Sequence, residues 1–206
     1  MRFYLIFFIF LFSSFAFAQK DTSKQLDAHG IKSLYIETDE VFRIHIETTN
    51  NSDQVSIFTH SEGEYFNDIA LNTEVKENAI YLTTQFREIL QSGYDKLSAH
   101  KVFSLEVTIK IPENLQIFIK SNIASVEANG VYDFLQIQLN SGYCKLSDFE
   151  GNAIINTFKG AINIQTTDAT VTAVSRNGEV MLPAGFSGKH KIKATSINGN
   201  ISVVEN

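Results

Sequence analysis

Cys144 is the only cysteine in the chain and the first residue with the chemistry of a nucleophile. A thiol attacks as its thiolate, which forms readily only beside a base or a cation. No histidine alternates with Cys144, and its place recurs in later segments as Ile162 and Val180. A thiol among aliphatic neighbours resists ionisation and packs as a small apolar group. We therefore predict that Cys144 is a buried structural residue.

The histidines are the next candidates, because imidazole is the commonest metal-binding and acid–base side chain. They do not form a His-x-His or His-x3-His pair, the spacings that bring two rings to one metal. The segment from His60 to Glu64 has donor types for a metal but reads as an acidic loop between strands. We assign no metal ligand. The five are His29, His45, His60, His100 and His190.

Arg43, His45 and Glu47 alternate along one segment, so they share the outer face of a predicted strand. Phe42, Ile44 and Ile46 are expected to point inward. The three polar side chains could form a functional stripe across the sheet, or they could be an ordinary solvated face. The pattern favours the second interpretation.

Acidic residues could serve a polysaccharide-cleaving enzyme, which needs carboxylates grouped on one outer surface. Asp148, Glu150 and Asp168 fall near predicted turns of different repeats. The sequence contains neither a Gly-x-Ser-x-Gly elbow nor a phosphate-cradling glycine loop before a helix. We therefore assign no catalytic residue and no cofactor.

One long segment breaks the strand pattern between residues 86 and 101. Long loops are often functional, and aromatic and arginine residues are enriched where proteins bind partners. The alternative is a solvated excursion between two strands. The residues of this predicted interaction loop are Phe86, Arg87, Tyr94, Asp95 and His100.

The elements that must position these residues are strands, because apolar and polar residues alternate from Ile31 onward. The longest alternating run, from Phe103 to Ile111, ends at Pro112. Turn residues separate the runs, as in the segment from Asn50 to Asp53. The chain is therefore predicted to be all-β.

After Pro112 the alternation becomes a repeat. Aligning Asn122, Gly142, Gly160, Gly178 and Gly199, which are spaced by 18–21 residues, gives columns that are apolar in every repeat. This predicts a C-terminal single-stranded β-solenoid of about five rungs, with a sandwich of coincidental spacing as the alternative. The columns begin with Leu115, Leu135, Ala153, Val171 and Ile192, and continue with Ala124, Cys144, Ile162, Val180 and Ile201.

The N-terminus has the order of a secretory signal: Arg2, an apolar run from Phe3 to Phe12, and small residues up to Ala18. We predict a signal peptide over 1–18, a β-rich segment over 19–112 and the solenoid over 113–206. An uncleaved anchor is the alternative. Export to the periplasm, cell surface or medium is expected. The net charge of −6 gives nucleic acid no reason to bind, and no later run is long enough to cross a membrane.

With these features the chain resembles the bacterial "putative adhesin" families of unknown function, exported β-solenoids with a head domain likened to that of autotransporter adhesins. The resemblance lies in the signal segment, the strand from Ile109 to Pro112, and turns such as Gly160–Ile164 and Gly199–Val203. It implies a β-helical fold in a cell-envelope setting and carries no catalytic residues. The expected function is non-enzymatic adhesion to an unknown glycan or envelope protein.

Two other functions remain open at this point. The chain could be a structural envelope protein that assembles through the ends of its solenoid, since an open edge near Ile201 would allow edge-to-edge self-association. It could also be a carbohydrate-active enzyme, which the scattered acids favour least.

Overall fold

The computed structural model describes residues 19–50, 52–63, 69–86 and 103–206, and every regular element in those ranges is a β-strand. The all-β prediction is confirmed. The predicted signal peptide, 1–18, lies outside the described residues. The strands are β1 (Gln19–Asp27), β2 (Ser33–Thr38), β3 (Arg43–Thr49), β4 (Gln54–Gly63), β5 (Ile69–Lys76), β6 (Ala79–Phe86), β7 (Phe103–Pro112), β8 (Gln116–Ser121), β9 (Ser125–Ser141), β10 (Cys144–Lys159), β11 (Ile162–Thr166), β12 (Ala169–Ser175), β13 (Val180–Met181), β14 (His190–Asn198) and β15 (Ile201–Glu205).

Hydrogen bonding arranges the strands in two rows that share one hydrophobic core. Row A has the order β1-β4-β7-β3-β9-β10-β11-β15-β13. Row B has the order β5-β6-β2-β8-β9-β10-β14-β12. The long strands β9 and β10 belong to both rows. The first half of β9 pairs with β3 in row A, and after Gly130 its second half pairs with β8 in row B.

Alternation places the apolar residues of each strand between the two rows. In β2 the side chains of Leu34 and Ile36 are buried, whereas Tyr35 and Glu37 point outward. Burying one such aliphatic side chain contributes about 1.5–3 kcal/mol. Phe42, which we expected to point inward, is 46% exposed and precedes the first residue of β3.

The parallel register confirms most of the predicted apolar columns in the C-terminal half. Leu135 pairs with Ala153, and Cys144 pairs with Ile162, as the 18-residue spacing requires. The N-terminal strands extend the same rows, since β3 pairs with β9 and β2 pairs with β8.

The predicted first member of the glycine column, Asn122, is wrong by two residues. Cys144 pairs with Val126 and Leu135 pairs with Ile117, so Ala124, and not Asn122, lies opposite Gly142. A shift of two residues leaves every side chain on the same face of its strand. The apolar pattern of the sequence is therefore equally satisfied by both registers.

The order of the last strands also differs from their order in the chain. Strand β14 lies between β10 and β12, and β15 lies between β11 and β13. Ile201 is consequently paired on both sides, with Ile162 and Val180. The prediction of an open edge near Ile201 is wrong, because among the described strands the unpaired edges at this end belong to β12 and β13.

The environment of Cys144 gives a direct test of the register. Its side chain is 0% exposed, and burial raises the pKa of the thiol. We expect a bulky maleimide to label Cys144 only after the protein is unfolded in urea, because neither solvent access nor thiolate is present in the fold. Mass spectrometry of native and unfolded samples measures this. Rapid labelling of the native protein would contradict the inward position of Cys144.

Candidate functional site

A groove of about 480 Å³ opens on the outer side of row A, where β1, β4 and β7 lie side by side. Strand β1 is antiparallel to β4, and β4 is antiparallel to β7, so residues from distant parts of the sequence meet there. The groove is lined by Asp21, Thr22, Ser23, Phe58, Thr59, His60, Glu106 and Thr108.

His60 holds the polar end of the groove together. Its Nδ1 atom lies 2.5 Å from the Asp21 carboxylate, and its Nε2 atom lies 2.9 Å from the Glu62 carboxylate. The hydrogen bond with Asp21, and then that with Glu62, raises the pKa of His60 above its usual value. Only the cationic ring can donate to both carboxylates at once.

The register continues this polar group across the row. His60 faces Glu106 on β7, and Glu106 faces Arg43 on β3. Arg43 Nη1 lies 3.5 Å from the Glu106 carboxylate. Beside these charged groups Phe58 is 40% exposed, which gives the groove an apolar wall.

A second cluster surrounds His45 further along row A. The two ring nitrogens of His45 lie 3.8 Å from the carboxylates of Glu47 and Glu127, respectively. The Tyr143 hydroxyl donates to Glu127, and this bond raises the pKa of Tyr143. Lys110 Nζ lies 2.5 Å from Glu47. The outward stripe of Arg43, His45 and Glu47 is thus present, and its partners from other strands come from β7 and β9.

The side chains of this surface can form hydrogen bonds and ion pairs with a polar ligand. Carboxylates accept bonds from hydroxyl groups, and a cationic imidazole donates to them. An exposed phenyl ring next to such groups can pack on the apolar side of a polar ligand. Within the ranges that the structure describes, no three His, Cys, Asp or Glu side chains are grouped so as to hold a metal ion.

The acids considered for an enzyme lie away from the groove and have local structural partners. The Asn206 amide donates to Asp148 over 3.0 Å, and the Lys189 backbone NH donates to Asp168 over 3.0 Å. Glu150 lies 3.5 Å from His190 Nε2. Asp148 and Asp168 both have left-handed backbone conformations, with φ of 46° and 50°, which is typical of turn residues.

The predicted interaction loop falls almost entirely outside the described residues. Phe86 is the last residue of β6. Arg87, Tyr94, Asp95 and His100 are not among the residues that the structure describes, and neither is Glu64 of the acidic segment.

Sequence reasoning missed an aromatic stack on the outer face of row B. The rings of Tyr81, Tyr35 and Phe118 lie nearly parallel, with centroids 5.0 Å and 4.7 Å apart, and Phe134 extends the series at 5.9 Å. At these distances and with interplanar angles of 9° and 8°, neighbouring rings cover each other's faces. A sugar ring packs on a free aromatic face, and the stacked faces inside this series are already occupied. We interpret the stack as cross-strand stabilisation of the row.

One polar strand, β1, hid the main site from the sequence. Strand β1 is exposed almost throughout and has no apolar alternation, and Asp21 meets His60 only through cross-strand pairing. The signal that could have found β1 is the absence of Gly, Pro and Asn between Gln19 and Asp27, which is compatible with an extended edge. Among the described residues, none forms a helix able to cross a membrane.

Solved structures of bacterial proteins match this chain at low sequence identity. A "putative cell adhesion protein" from Clostridium sporogenes has a TM-score of 0.62 and 15% identity, covering 91% of this chain and 100% of that one. A "putative adhesin" from Bacteroides fragilis has a TM-score of 0.34 and 13% identity, covering 90% and 97% of the two chains. No protein-family model and no curated protein matches the sequence. At this level of identity, the Clostridium protein shows the fold of this chain, and the function has to be inferred from the groove itself.

Proposed function

We propose that this chain is a non-enzymatic adhesion or interaction protein of the bacterial cell envelope, with the row A groove as its binding site. The observation that carries the proposal is the position of His60, which two carboxylates hold beside the exposed ring of Phe58. That arrangement offers charged acceptors, a cationic donor and an apolar wall within one groove. A glycan presents hydroxyl groups and apolar ring faces together, so it is the ligand class that these groups suit best.

The architecture that we propose for this function is a short β-solenoid. The parallel pairing of segments spaced by 18 residues on both faces supports it. We further propose the division already given for the sequence, in which residues 1–18 direct export, 19–112 form the β-rich segment with the groove, and 113–206 form the repeats. The order of charged, apolar and small residues at the N-terminus supports export.

A second contact region is the predicted interaction loop of Phe86, Arg87, Tyr94, Asp95 and His100. Its residue types support the proposal, since tyrosine and arginine contribute strongly where proteins bind partners. We keep it separate from the groove, because the two regions make different predictions for mutagenesis.

A glycan array followed by titration calorimetry tests the groove. We expect the wild-type protein to retain at least one envelope or host glycan, and Asp21→Asn and Phe58→Ala each to weaken that binding about tenfold, the loss expected for one charged hydrogen bond or one packed ring. Gln165→Ala, an exposed change on β11 of the same row, is the control and should leave affinity unchanged. The groove is contradicted if Gln165→Ala and Phe58→Ala have the same effect.

Ligand binding should also depend on pH through His60. Its pKa in the folded protein is raised from the usual 6.5, so the interaction with Asp21 and Glu62 is fully present below 6.5 and is lost as the pH rises through the higher folded value. Because the bond between His60 and Asp21 joins β4 to β1, we expect two changes as the pH rises through that value. The protection factors of the β1 amides, which correct for the intrinsic acceleration of exchange by base, should fall, and glycan affinity should fall with them. The His60→Gln variant should show neither change. A flat profile for the wild-type protein would remove His60 from the site.

A further inference from the structure

Strand β12 is a free edge of row B that lacks the usual protection of an edge strand. Natural sheets blunt their edges with charged residues, bulges or proline, because an open row of backbone groups can pair with another chain. The strand has seven residues, Ala169–Ser175, with no charge, no proline and no bulge in its pairing with β14. Within the described chain it pairs with β14 only.

The edges at the opposite ends of the two rows, β1 and β5, are protected in the expected way. Strand β1 has Lys20, Asp21 and Lys24 along an exposed edge. Strand β5 ends with Glu74 and Lys76, which form an ion pair of 2.8 Å. This contrast with the charged edges of β1 and β5 indicates that another strand pairs with the β12 edge.

The pairing of β12 with β14 fixes which backbone groups face outward. The Asp168 carbonyl and the Arg176 NH both bond to β14, and in a parallel pair alternate residues direct their backbone groups to the same neighbour. The even-numbered residues therefore face β14. The groups that point to the free edge belong to Ala169, Val171, Ala173 and Ser175.

We propose that a second copy of this chain covers the edge, with its own β12 paired antiparallel about a two-fold axis. If Thr172 lies opposite the partner's Thr172, then Val171 faces the partner's Ala173 and Ala169 faces the partner's Ser175. All the outward-facing NH and carbonyl groups of both strands are then paired. A two-fold axis is the commonest symmetry of dimers and requires a surface that is complementary to itself.

Charge selects this register among those that pair odd with odd residues. With Thr172 at the axis, Asp168, which immediately precedes β12, faces the partner's Arg176, which immediately follows it, and the two-fold axis repeats this pair. A register shifted along the strand by one pair would instead place Asp168 or Arg176 opposite Val174 or Thr170. The uncharged centre between two complementary ends is the pattern expected of a self-pairing strand.

Exposed apolar residues beside the β12 edge also support a second copy of this chain as its partner. Val180 and Leu182 follow the inward columns of the core, yet they are 40% and 39% exposed, because β13 is the last strand of row A. Val174 and Met181 are exposed by 56% and 58%. A second copy brought against β12 by the two-fold axis would approach this uncovered end of the core.

The test is sedimentation equilibrium of the full-length chain, expressed with its own N-terminal segment, over a wide concentration range. We expect the mass to rise from one chain to two. In Thr172→Glu the new carboxylate lies beside Lys193 of its own chain but opposite the partner's Glu, so the monomer stays folded and the dimer weakens by about a hundredfold. Asn156→Glu, an exposed outward change on inner strand β10, should dimerise as the wild type does. A monomer at all concentrations, or equal effects of the two variants, would overturn the proposal.

The register has its own test. Arg176→Glu should weaken the dimer, because it faces the partner's Asp168, and adding Asp168→Lys should restore the pairing with the charges exchanged. Thermal unfolding of each variant checks that the monomer remains folded. Failure of the double variant to recover while it remains folded would overturn this register.

Discussion

Replacing Gly142 with alanine should destabilise the protein by at least about 3 kcal/mol, because two independent costs add at this residue. Its backbone has φ of +102°, a conformation that L side chains rarely adopt. A Cβ atom there would also lie 2.2 Å from the carbonyl oxygen of Ala124, the residue that immediately precedes β9. That oxygen belongs to backbone, so the clash cannot be relieved by a side-chain rotation. Urea unfolding followed by circular dichroism measures the loss.

Gly185→Ala provides the matched control for the glycine prediction. Gly185 also has a positive φ, +77°, but a Cβ atom there meets nothing within 4 Å. Gly185→Ala should therefore lower the free energy of unfolding only by the cost of the backbone conformation, about 1–2 kcal/mol. Equal losses for the two variants would show that the close stacking at Gly142 contributes nothing to stability.

The second large effect should come from Phe149→Ala, with a loss of about 3–5 kcal/mol. Phe149 is among the largest fully buried side chains, 1% exposed, and its ring lies 5.3 Å from that of Tyr132. Removing it leaves a cavity where β10 bends from row A to row B, and the paired backbone on both sides prevents collapse. Differential scanning calorimetry or urea unfolding provides the measurement.

Phe158→Ala separates burial from the loss of an aromatic ring. Phe158 lies on the same strand, β10, but is 54% exposed. We expect its replacement to change stability by no more than about 0.5 kcal/mol. If both phenylalanine variants lost the same stability, the bend at Phe149 would not be part of the core.

The sequence was informative wherever burial imposes alternation. The inward positions of Leu135, Cys144 and Ile162, and the outward positions of Arg43, His45 and Glu47, follow from the two-residue period alone. The fold class follows from the same signal. Wherever a strand has one buried face, the pattern determines which side chains point inward.

The register and the order of the strands were harder to predict from the sequence, for a physical reason. Placing Asn122 where Ala124 lies leaves all apolar residues on the same face, since the error is two residues. Likewise Val171 and Ile192 are interchangeable by pattern, so nothing in the sequence places Ile192 next to Ala153. Contacts between equivalent strands depend on the path of the chain, which periodicity does not encode.

The candidate site was hidden because its members meet only in three dimensions. His60 was visible as an imidazole near acids, but its main partner, Asp21, is 39 residues away on a strand with no buried face. The aromatic stack of Tyr35, Phe118 and Tyr81 was hidden in the same way. An edge strand solvated on both sides lacks the alternation by which strands are recognised.

The placement of β14 between β10 and β12 has a consequence for assembly of the fold. Residues 169–175 have their only described sheet neighbour in residues 190–198, and β13 likewise depends on β15. The segment from Ala169 to Met181 therefore stays without a partner until the later strands have docked on β10 and β11. Growth of the sheet from the N-terminal side cannot proceed one strand at a time along the chain here. The final step is therefore cooperative, because β12 and β13 gain their partners only when β14 and β15 dock. Before that step, β12 is the strand that stays exposed longest.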